Sequence, residues 1–461
     1  MSIGIDGTAM QSKLIYNNIL ETIGNTPLVK LSKLAGDLPV TLLGKLERTN
    51  PGGSIKDRIA LSLVEAAERS GELKPGGTIV EASSGNMGIG LALVAAQKGY
   101  HCIIIMPWKM SAEREQIIRG LGGEVVRVPT EVAPDHPDSF LNTARRIADS
   151  TPDSILINQF YNQENPATHY RTTGPEIWEQ TEGAVDAFIM GMGTGGTISG
   201  VGKYLKEKNP GVRIVGAEPE GSILKTYFDN GEMPEGRIYM VEGIGEDFLP
   251  ESLHLKWVDE MRWVSDQASF DMTLRLAREE GIFAGGSSGA QIQVALEVAA
   301  ELPPGSTVVT TIPDTGSRYL SKLYNDGWLV AQGFKTATDL NAGRIVEISG
   351  RPFYTTLAET PILEAMALME THNLDLLPVL ENHIVQGTLY RDELLSLLLL
   401  GENLDQTTAG NKMQPPLVVV EASTSLSELR KLLSGEPSVV IKKNDMPTGV
   451  IHRREMYRFL K

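Results

Sequence analysis

Apolar and polar positions follow a repeating pattern from Thr41 to about Trp328. Short apolar runs alternate with longer amphipathic stretches, which is typical of βαβ units, where helices cover a parallel sheet. The predicted strands are Thr78–Glu81, Cys102–Met106, Glu124–Val128, Ala187–Met190, Arg213–Ala217 and Val308–Ile312. The predicted helices are Ile89–Gln97, Ala112–Gly120, Ile198–Lys206 and Phe270–Glu280. We expect an α/β fold with two subdomains.

The pattern changes near residue 330. Residues 331–343 have the polar composition of an exposed linker. Beyond them a helix–strand–strand–helix pattern occurs twice, once from Pro361 and again from Ser425, with a period of roughly 60 residues. The sequence therefore predicts a main domain over residues 13–330, the linker, and two small βαββα domains over residues 344–400 and 401–461.

Composition excludes several classes of function. The chain of 461 residues has a formal charge of −16, so it lacks the basic footprint that binds nucleic acid or anionic membranes. No apolar run approaches the ~18 residues that span a bilayer, and the N-terminus lacks the pattern of a signal peptide. We expect a cytoplasmic protein with neither a nucleic-acid nor a membrane partner. The single cysteine excludes intramolecular disulfides, and the histidines show no ligand spacing, so no metal is expected.

The first candidate for chemistry is Lys56, in the loop Asn50–Arg58. It falls in the opening turn of a helical stretch, where the helix dipole disfavours a cation. That field lowers the pKa of the amine and raises its neutral, nucleophilic fraction, which Schiff-base chemistry requires. A lone lysine is usually a solvated surface residue, so the assignment depends on what accompanies it.

Three further glycine-rich loops each lead into a predicted helix. They are Ser83–Gly88, Gly191–Thr197 and Ala284–Gly289. Backbone N–H groups at such turns bind carboxylates or phosphates, although the last loop also suits an ordinary helix cap. The loop Gly191–Thr197 fits the dinucleotide fingerprint G-x-G-x-x-G, with Glu218 about 20 residues further on. The residues alone therefore leave open a nicotinamide-dependent dehydrogenase.

Taken in order, the four loops resemble the fold-type II pyridoxal-phosphate (PLP) enzymes. Within these the chain resembles the branch of cystathionine β-synthases and cysteine synthases, beginning at Ile23-Gly-Asn-Thr-Pro-Leu28 and extending to about residue 330. The tail resembles a tandem pair of CBS domains. The resemblance implies a PLP-dependent catalytic domain of two three-layer α/β subdomains, followed by the CBS pair.

The resemblance also implies the cofactor and its ligands. Lys56 carries PLP as a Schiff base, Asn86 hydrogen-bonds the pyridoxal 3′-oxygen and Ser287 faces the pyridine nitrogen. The phosphate is held by Gly193, Thr194, Gly195, Gly196 and Thr197. Because a hydroxyl does not protonate the ring as an aspartate would, loss of a β-substituent competes well with transamination or racemisation.

The reaction implied is a β-replacement in which the Lys56 amine removes the α-proton. L-Serine, or an O-activated serine, condenses with L-homocysteine to give L-cystathionine. The residues that match substrate positions are Ser83, Ser84, Gly85, Met87, Gln159, Glu242 and Gly243. Glutamate at 242 suits the amino group of homocysteine, because cysteine synthases usually have glutamine there. Phe160 and Met87 depart from the expected pattern, so cysteine synthase with O-acetylserine and sulfide, and cyanoalanine synthase, stay open.

Three further expectations follow from the resemblance. No cysteine or histidine lies among the first 18 residues, so no haem is expected. CBS domains that bind adenosyl ligands commonly carry Ser/Thr-x-x-Asp after the last strand, whereas Tyr390–Glu393 and His452–Glu455 lack the hydroxyl and end in glutamate. We therefore expect no activation by S-adenosylmethionine, and a tail that packs and dimerises rather than senses nucleotides. The family implies a homodimer or a higher homo-oligomer.

Overall fold

The computed structural model describes residues 15–83, 85–108, 110–129, 132, 136–336 and 340–459. The chain divides into two compact units, Met1–Leu320 and Ser321–Lys461. In the described parts of the chain, every helix is too short or too polar to cross a bilayer. The same residues contain no group of three or more His, Cys, Asp or Glu side chains that could hold a metal ion.

The first unit is built from strands and helices that alternate along most of its length. Its strands are β1 (Leu28–Lys30), β2 (Thr41–Lys45), β3 (Thr78–Ala82), β4 (His101–Pro107), β5 (Glu124–Val128), β6 (Ser154–Leu156), β7 (Ala187–Gly191), β8 (Arg213–Pro219), β9 (Glu260–Val264) and β10 (Thr307–Thr311). Its helices are α1 (Ser32–Ala35), α2 (Lys56–Ser70), α3 (Asn86–Lys98), α4 (Ala112–Gly120), α5 (Phe140–Ser150), α6 (Glu164–Arg171), α7 (Thr173–Gln180), α8 (Gly196–Lys208), α9 (Leu224–Asn230), α10 (Asp266–Glu279) and α11 (Gly286–Glu301).

Two sheets organise this unit. The smaller has the order β5-β4-β3-β6 and is parallel throughout, and helices α3, α4 and α5 pack on it. The larger has the order β1-β2-β10-β7-β8-β9 and is parallel except where β1 pairs with β2. Helices α8 and α11 pack on the larger sheet. The predicted α/β fold with two subdomains is confirmed.

The central strands explain why the candidate loops share one cleft. β3 and β7 are buried along their whole length, as expected of parallel strands covered on both faces. Each sheet has its own apolar core, one around Ile79 and Leu91 and the other around Phe188 and Ile198. The loops that follow parallel strands emerge at their carboxyl ends, where open α/β sheets form crevices for ligands.

The second unit contains two small sheets with the orders β11-β12-β13 and β14-β15-β16. Its elements are α12 (Asp326–Ala331), α13 (Ala342–Ser349), β11 (Thr356–Leu357), α14 (Ile362–Thr371), β12 (Leu376–Glu381), β13 (Ile384–Tyr390), α15 (Arg391–Leu399), α16 (Ala409–Lys412), β14 (Val418–Glu421), α17 (Leu426–Gly435), β15 (Ser438–Lys443), β16 (Met446–His452) and a 3₁₀ helix (Arg453–Phe459). The hairpins β12–β13 and β15–β16 carry a register shift at the same position, after Val379 and after Ile441. This correspondence confirms the internal repeat.

Residues 321–330 lie in the second unit, whereas the sequence pattern assigned them to the main domain. Helix α12 contributes Val330 to a core that also contains Leu340 and Ile345. The division into independently folding domains over residues 13–330, 344–400 and 401–461 stays a prediction. Residue 13 and part of the predicted linker lie outside the described residues.

Candidate active site

Lys56 is the first residue of α2. Burial lowers the pKa of its amine to about 8, although the carboxylates of Glu246 and Asp314 act in the opposite direction. With that pKa, roughly a tenth of the amine is neutral at pH 7, compared with less than a thousandth for an ordinary lysine. Lys56 can therefore act as a nucleophile or a base near neutral pH.

Two hydrogen bonds connect Ser83 to the start of α3. The hydroxyl of Ser83 accepts hydrogen bonds from the backbone N–H groups of Gly85, at 3.0 Å, and Gly88, at 3.1 Å. Gly85 has φ +142°, and a Cβ there would lie 2.2 Å from Cδ of Arg114. Only glycine fits this position. Ser84, a predicted site residue, lies outside the described residues.

The side chain of Asn86 is held by two residues from the C-terminal part of the catalytic unit. Its Nδ2 donates to Oδ2 of Asp314 at 2.8 Å, and its Oδ1 accepts from Arg318. Arg318 is buried and also donates to the carbonyl of Gly52, in the loop that precedes Lys56. These bonds fix the amide of Asn86 and join the first two loops.

The loop Gly193–Thr197 connects β7 to α8, and its backbone is closely enclosed. A Cβ on Gly193 would lie 2.9 Å from the carbonyl oxygen of Gly243, and one on Gly196 would lie 1.9 Å from Oδ1 of Asn165. The first N–H groups of a helix lack intrahelical partners and attract anions. The loop therefore forms a cradle for an anion at the start of α8.

The two threonines of this loop are positioned from α6. Oγ1 of Thr197 lies 3.1 Å from Nε2 of His169, whose Nδ1 lies 2.9 Å from Oγ1 of Thr173. Burial lowers the pKa of His169 well below its usual value, so the ring is neutral, with one donor and one acceptor nitrogen. Oγ1 of Thr194 accepts from Nδ2 of Asn165 at 3.0 Å. Both hydroxyls are thus held by buried partners.

Ser287 lies in the first turn of α11 and is buried. The fourth loop reaches the same carboxylate that holds Asn86, because a Cβ on Gly285 would lie 2.3 Å from Oδ1 of Asp314. Asp314 also accepts from the hydroxyl of Tyr319 at 2.6 Å. The third loop approaches Gly243 and Glu246, and the carboxylate of Glu246 interacts electrostatically with Lys56. All four predicted loops are therefore connected.

The remaining predicted residues occupy different environments. Gln159 is buried, and its Nε2 donates to the carbonyl of Ala82 at 3.3 Å. Its Oε1 is buried and has no hydrogen-bond partner among the described residues. The side chain of Met87 lies in the apolar core of the smaller sheet, 1% exposed. Gly243 is exposed with φ +86°, next to Glu242.

Sequence reasoning missed four residues that organise this cleft: Arg114, His169, Asp314 and Arg318. Arg114 forms an ion pair with Glu242. The resemblance to the family assigned no role to Asp314 or Arg318. Arg114 and His169 belong to no motif, so no signal in this sequence alone could have identified them.

Comparison with known proteins agrees with this geometry. The family model "Pyridoxal-phosphate dependent enzyme" matches residues 19–314, and the CBS domain model matches residues 345–400 and 409–461. Cystathionine beta-synthase of Dictyostelium discoideum is 36% identical over 477 residues, covering 97% of this chain and 93% of that protein. Cysteine synthase 1 of Emericella nidulans is 42% identical over 332 residues, covering 71% of this chain and 90% of that protein.

A solved structure extends the match to three dimensions. The crystal structure of O-acetylserine dependent cystathionine beta-synthase from Helicobacter pylori aligns with a TM-score of 0.62 and 39% identity, over 67% of this chain and 98% of that one. These matches overturn the dinucleotide interpretation of the third loop, because that loop lies within the matched family domain. The chain belongs to the pyridoxal-phosphate dependent enzyme family and, with its CBS-domain pair, to the cystathionine β-synthase branch of that family.

Proposed function

We propose that the enzyme condenses L-serine, or an O-activated serine, with L-homocysteine to give L-cystathionine. The observation that carries this proposal is the convergence of Lys56, Asn86 and the anion cradle Gly193–Thr197 in one cleft. The carboxylate of Glu242 is paired there with Arg114, whose side chain lies against Gly85. The relative from Dictyostelium discoideum, which shares nearly the whole chain, is itself a cystathionine beta-synthase.

The residues of the cleft fit PLP. The neutral fraction of the Lys56 amine suits capture of the cofactor aldehyde, and the enclosed start of α8 suits its phosphate. We assign the phosphate to Gly193, Thr194, Gly195, Gly196 and Thr197. Asn86 uses one amide hydrogen on Asp314, which leaves the second for the 3′-oxygen. Ser287 is assigned to the pyridine nitrogen.

PLP, when bound, supplies an electron sink for the substrate α-carbon. The Lys56 amine takes the proton from that carbon, and a base is most effective when its pKa lies near the working pH. The bonds from Asp314 and Arg318 keep Asn86 in one orientation. The neutral Ser287 hydroxyl leaves the ring nitrogen without a full positive charge, which favours loss of the β-substituent.

The first substrate is assigned to the loop at the start of α3. Ser83, Ser84, Gly85 and Gln159 are assigned to its carboxylate. Ser83 serves indirectly, because its hydroxyl already accepts from two N–H groups of the loop. Met87 acts by packing under the loop. Glu242 and Gly243 are assigned to the second substrate.

A direct assay tests this function. The purified holoenzyme is supplied with serine or O-acetylserine, and then with homocysteine, sulfide or cyanide, and the products are measured by mass spectrometry. The expected result is the highest kcat/KM with homocysteine and formation of cystathionine. A strong preference for sulfide would instead identify a cysteine synthase, and a strong preference for cyanide a cyanoalanine synthase.

Other properties implied by the family are part of the same proposal. We infer a homodimer or a higher homo-oligomer, which light scattering after size-exclusion chromatography measures directly. We infer a cytoplasmic location, supported by a single, buried cysteine, and cell fractionation tests it. The enzyme is expected to contain no haem, so the purified protein should lack a Soret band.

A further inference from the structure

Arg114 and Glu242 form an ion pair that connects the two subdomains of the catalytic unit. Arg114 lies on α4, which packs beside the smaller sheet, and Glu242 lies between β8 and β9 of the larger sheet. The side chain of Arg114 is 2% exposed and that of Glu242 is 11% exposed. A bound molecule that contacted both residues would therefore contact both walls of the cleft.

Each member of the pair borders a loop assigned to the chemistry. The side chain of Arg114 runs against Gly85, and its guanidinium lies 4.8 Å from the ring centroid of Tyr319. Glu242 is next to Gly243, whose carbonyl approaches Gly193 of the anion cradle. The pair thus lies between the loop of the first substrate and the loop of the cofactor phosphate.

A zwitterionic amino acid is complementary to such a pair. Its carboxylate can accept two hydrogen bonds from a guanidinium, and its ammonium can donate to a carboxylate. Removing one partner from a buried pair leaves an uncompensated charge and costs several kcal/mol. If a zwitterion pairs with the guanidinium and the carboxylate at the same time, each of them keeps a counter-charge, so that cost is avoided.

We propose that Arg114 binds the carboxylate of the amino-acid thiol that serves as second substrate, while Glu242 binds its ammonium group. This inference rests on the proposed function and adds Arg114 as a specificity-determining residue. Sulfide and cyanide carry no such pair of charges, so neither can replace the partners of both Arg114 and Glu242. The arrangement therefore selects an amino-acid nucleophile over a small inorganic one.

Thiol analogues test the idea on the wild-type holoenzyme. 4-Mercaptobutyrate keeps the carboxylate of homocysteine, 3-mercaptopropylamine keeps its amino group, and 1-propanethiol has neither. With serine or O-acetylserine as first substrate, whichever the enzyme uses better, kcat/KM should be highest for homocysteine and at least tenfold lower for each analogue. Equal values for homocysteine and 1-propanethiol would overturn the proposal without any variant.

Two variants assign the two charges separately. In Arg114→Gln, the ratio of kcat/KM for 4-mercaptobutyrate to that for 1-propanethiol should fall about tenfold or more, and Arg114→Lys should restore part of it. In Glu242→Gln, the corresponding ratio for 3-mercaptopropylamine should fall. Arg119→Gln, on the same helix and paired with Glu115 at the surface, is the matched control and should leave both ratios unchanged.

The outcomes separate this inference from the proposed function. If the wild type uses sulfide and not homocysteine, the proposed function is wrong and this inference with it. If the wild type uses homocysteine but Arg114→Gln keeps its ratio, only the inference is wrong. An increase in KM for serine alone would assign Arg114 to the first substrate and would equally overturn the inference.

Discussion

The two units of the chain differ in the charges that they bury. In the catalytic unit the buried charged residues include Lys45, Glu47, Asp57, Arg58, Glu81, Arg114, Glu218, Asp314 and Arg318. Among the described residues of the CBS unit, the buried polar side chains are Thr356, Thr388 and Ser438, and none carries a charge. Burying a charge is costly unless it is paired, so the buried charges of the catalytic unit depend on their partners.

Two networks illustrate the contrast. In the catalytic unit, Arg58 lies 2.8 Å from Glu47, with both side chains almost fully buried. In the CBS unit, Asp375 receives Arg391 at 2.5 Å and Arg454 at 2.8 Å, and all three side chains are about a third or more exposed. The first network is shielded from solvent, whereas the second is screened by it.

The largest effect is expected for Lys56→Ala. Loss of the amine removes both the attachment of the cofactor and the proposed base, so turnover should fall by at least about 10³-fold. Far-UV circular dichroism should stay native, because the site is a small part of the fold. Lys33→Ala, which changes an exposed lysine of the same unit, should keep full activity. Retained turnover in Lys56→Ala would refute the assignment.

The buried network should dominate stability. Arg58→Met leaves Glu47 buried without its main counter-charge and should lower the free energy of unfolding by about 3–5 kcal/mol. Arg391→Met in the CBS unit should cost only about 0–1 kcal/mol. Urea unfolding followed by tryptophan fluorescence and circular dichroism measures both. Equal losses would show that the contrast between the units has no energetic basis.

The pH dependence of cofactor capture should report the environment of Lys56. Only the neutral amine attacks the aldehyde, so the apoenzyme should bind PLP about tenfold faster per pH unit until about pH 8, and level off above it. Stopped-flow absorbance between pH 6.5 and 10 records this rate. An ordinary lysine would show a rise that continues beyond pH 10, and such a result would contradict the assigned pKa.

Glu81 should produce a smaller effect on stability. Burial raises its pKa to about 8, although Asn158 donates to it at 2.7 Å. Between about pH 4.5 and pH 8 the folded state binds more protons at this group than the unfolded state does, so its contribution to stability falls as pH rises. Glu81→Gln should remove that slope and become relatively more stable at pH 8 than at pH 5. If the free energy of unfolding follows parallel curves against pH in the wild type and in Glu81→Gln, the role assigned to Glu81 is refuted.

The smallest effect is expected from S-adenosylmethionine, which should change kcat by less than about twofold. Charged side chains of both aligned stretches already pair within the CBS unit: Arg391, next to Tyr390, with Asp375, and Glu455, at the aspartate position, with Arg351 at 2.6 Å. Isothermal titration calorimetry and rate measurements of the full chain test this. Saturable binding with activation would show that the CBS unit has a regulatory ligand after all.

Regular elements of the catalytic unit could be predicted from the sequence to within about four residues at either end. The predicted α4 and β5 have the bounds that the structure shows, because apolar periodicity and flanking glycines mark them. The short strands β6 and β9 were not predicted. β6 has three half-buried residues, and β9 lies at the edge of its sheet with charged positions between apolar ones. Pairing with a neighbour, rather than local preference, makes them strands.

Local patterns in the chain were enough to predict the glycine loops, the position of Lys56 at the start of a helix and the repeat in the tail. These features depend on backbone conformation and short-range periodicity. The contacts between distant side chains could not be predicted in this way, since Asn86 and Asp314 are 228 positions apart, and Arg114 and Glu242 are 128 apart. Such contacts depend on how two sheets pack, and no local pattern encodes them. The same packing placed Met87 in the core and brought a second charge beside Glu242.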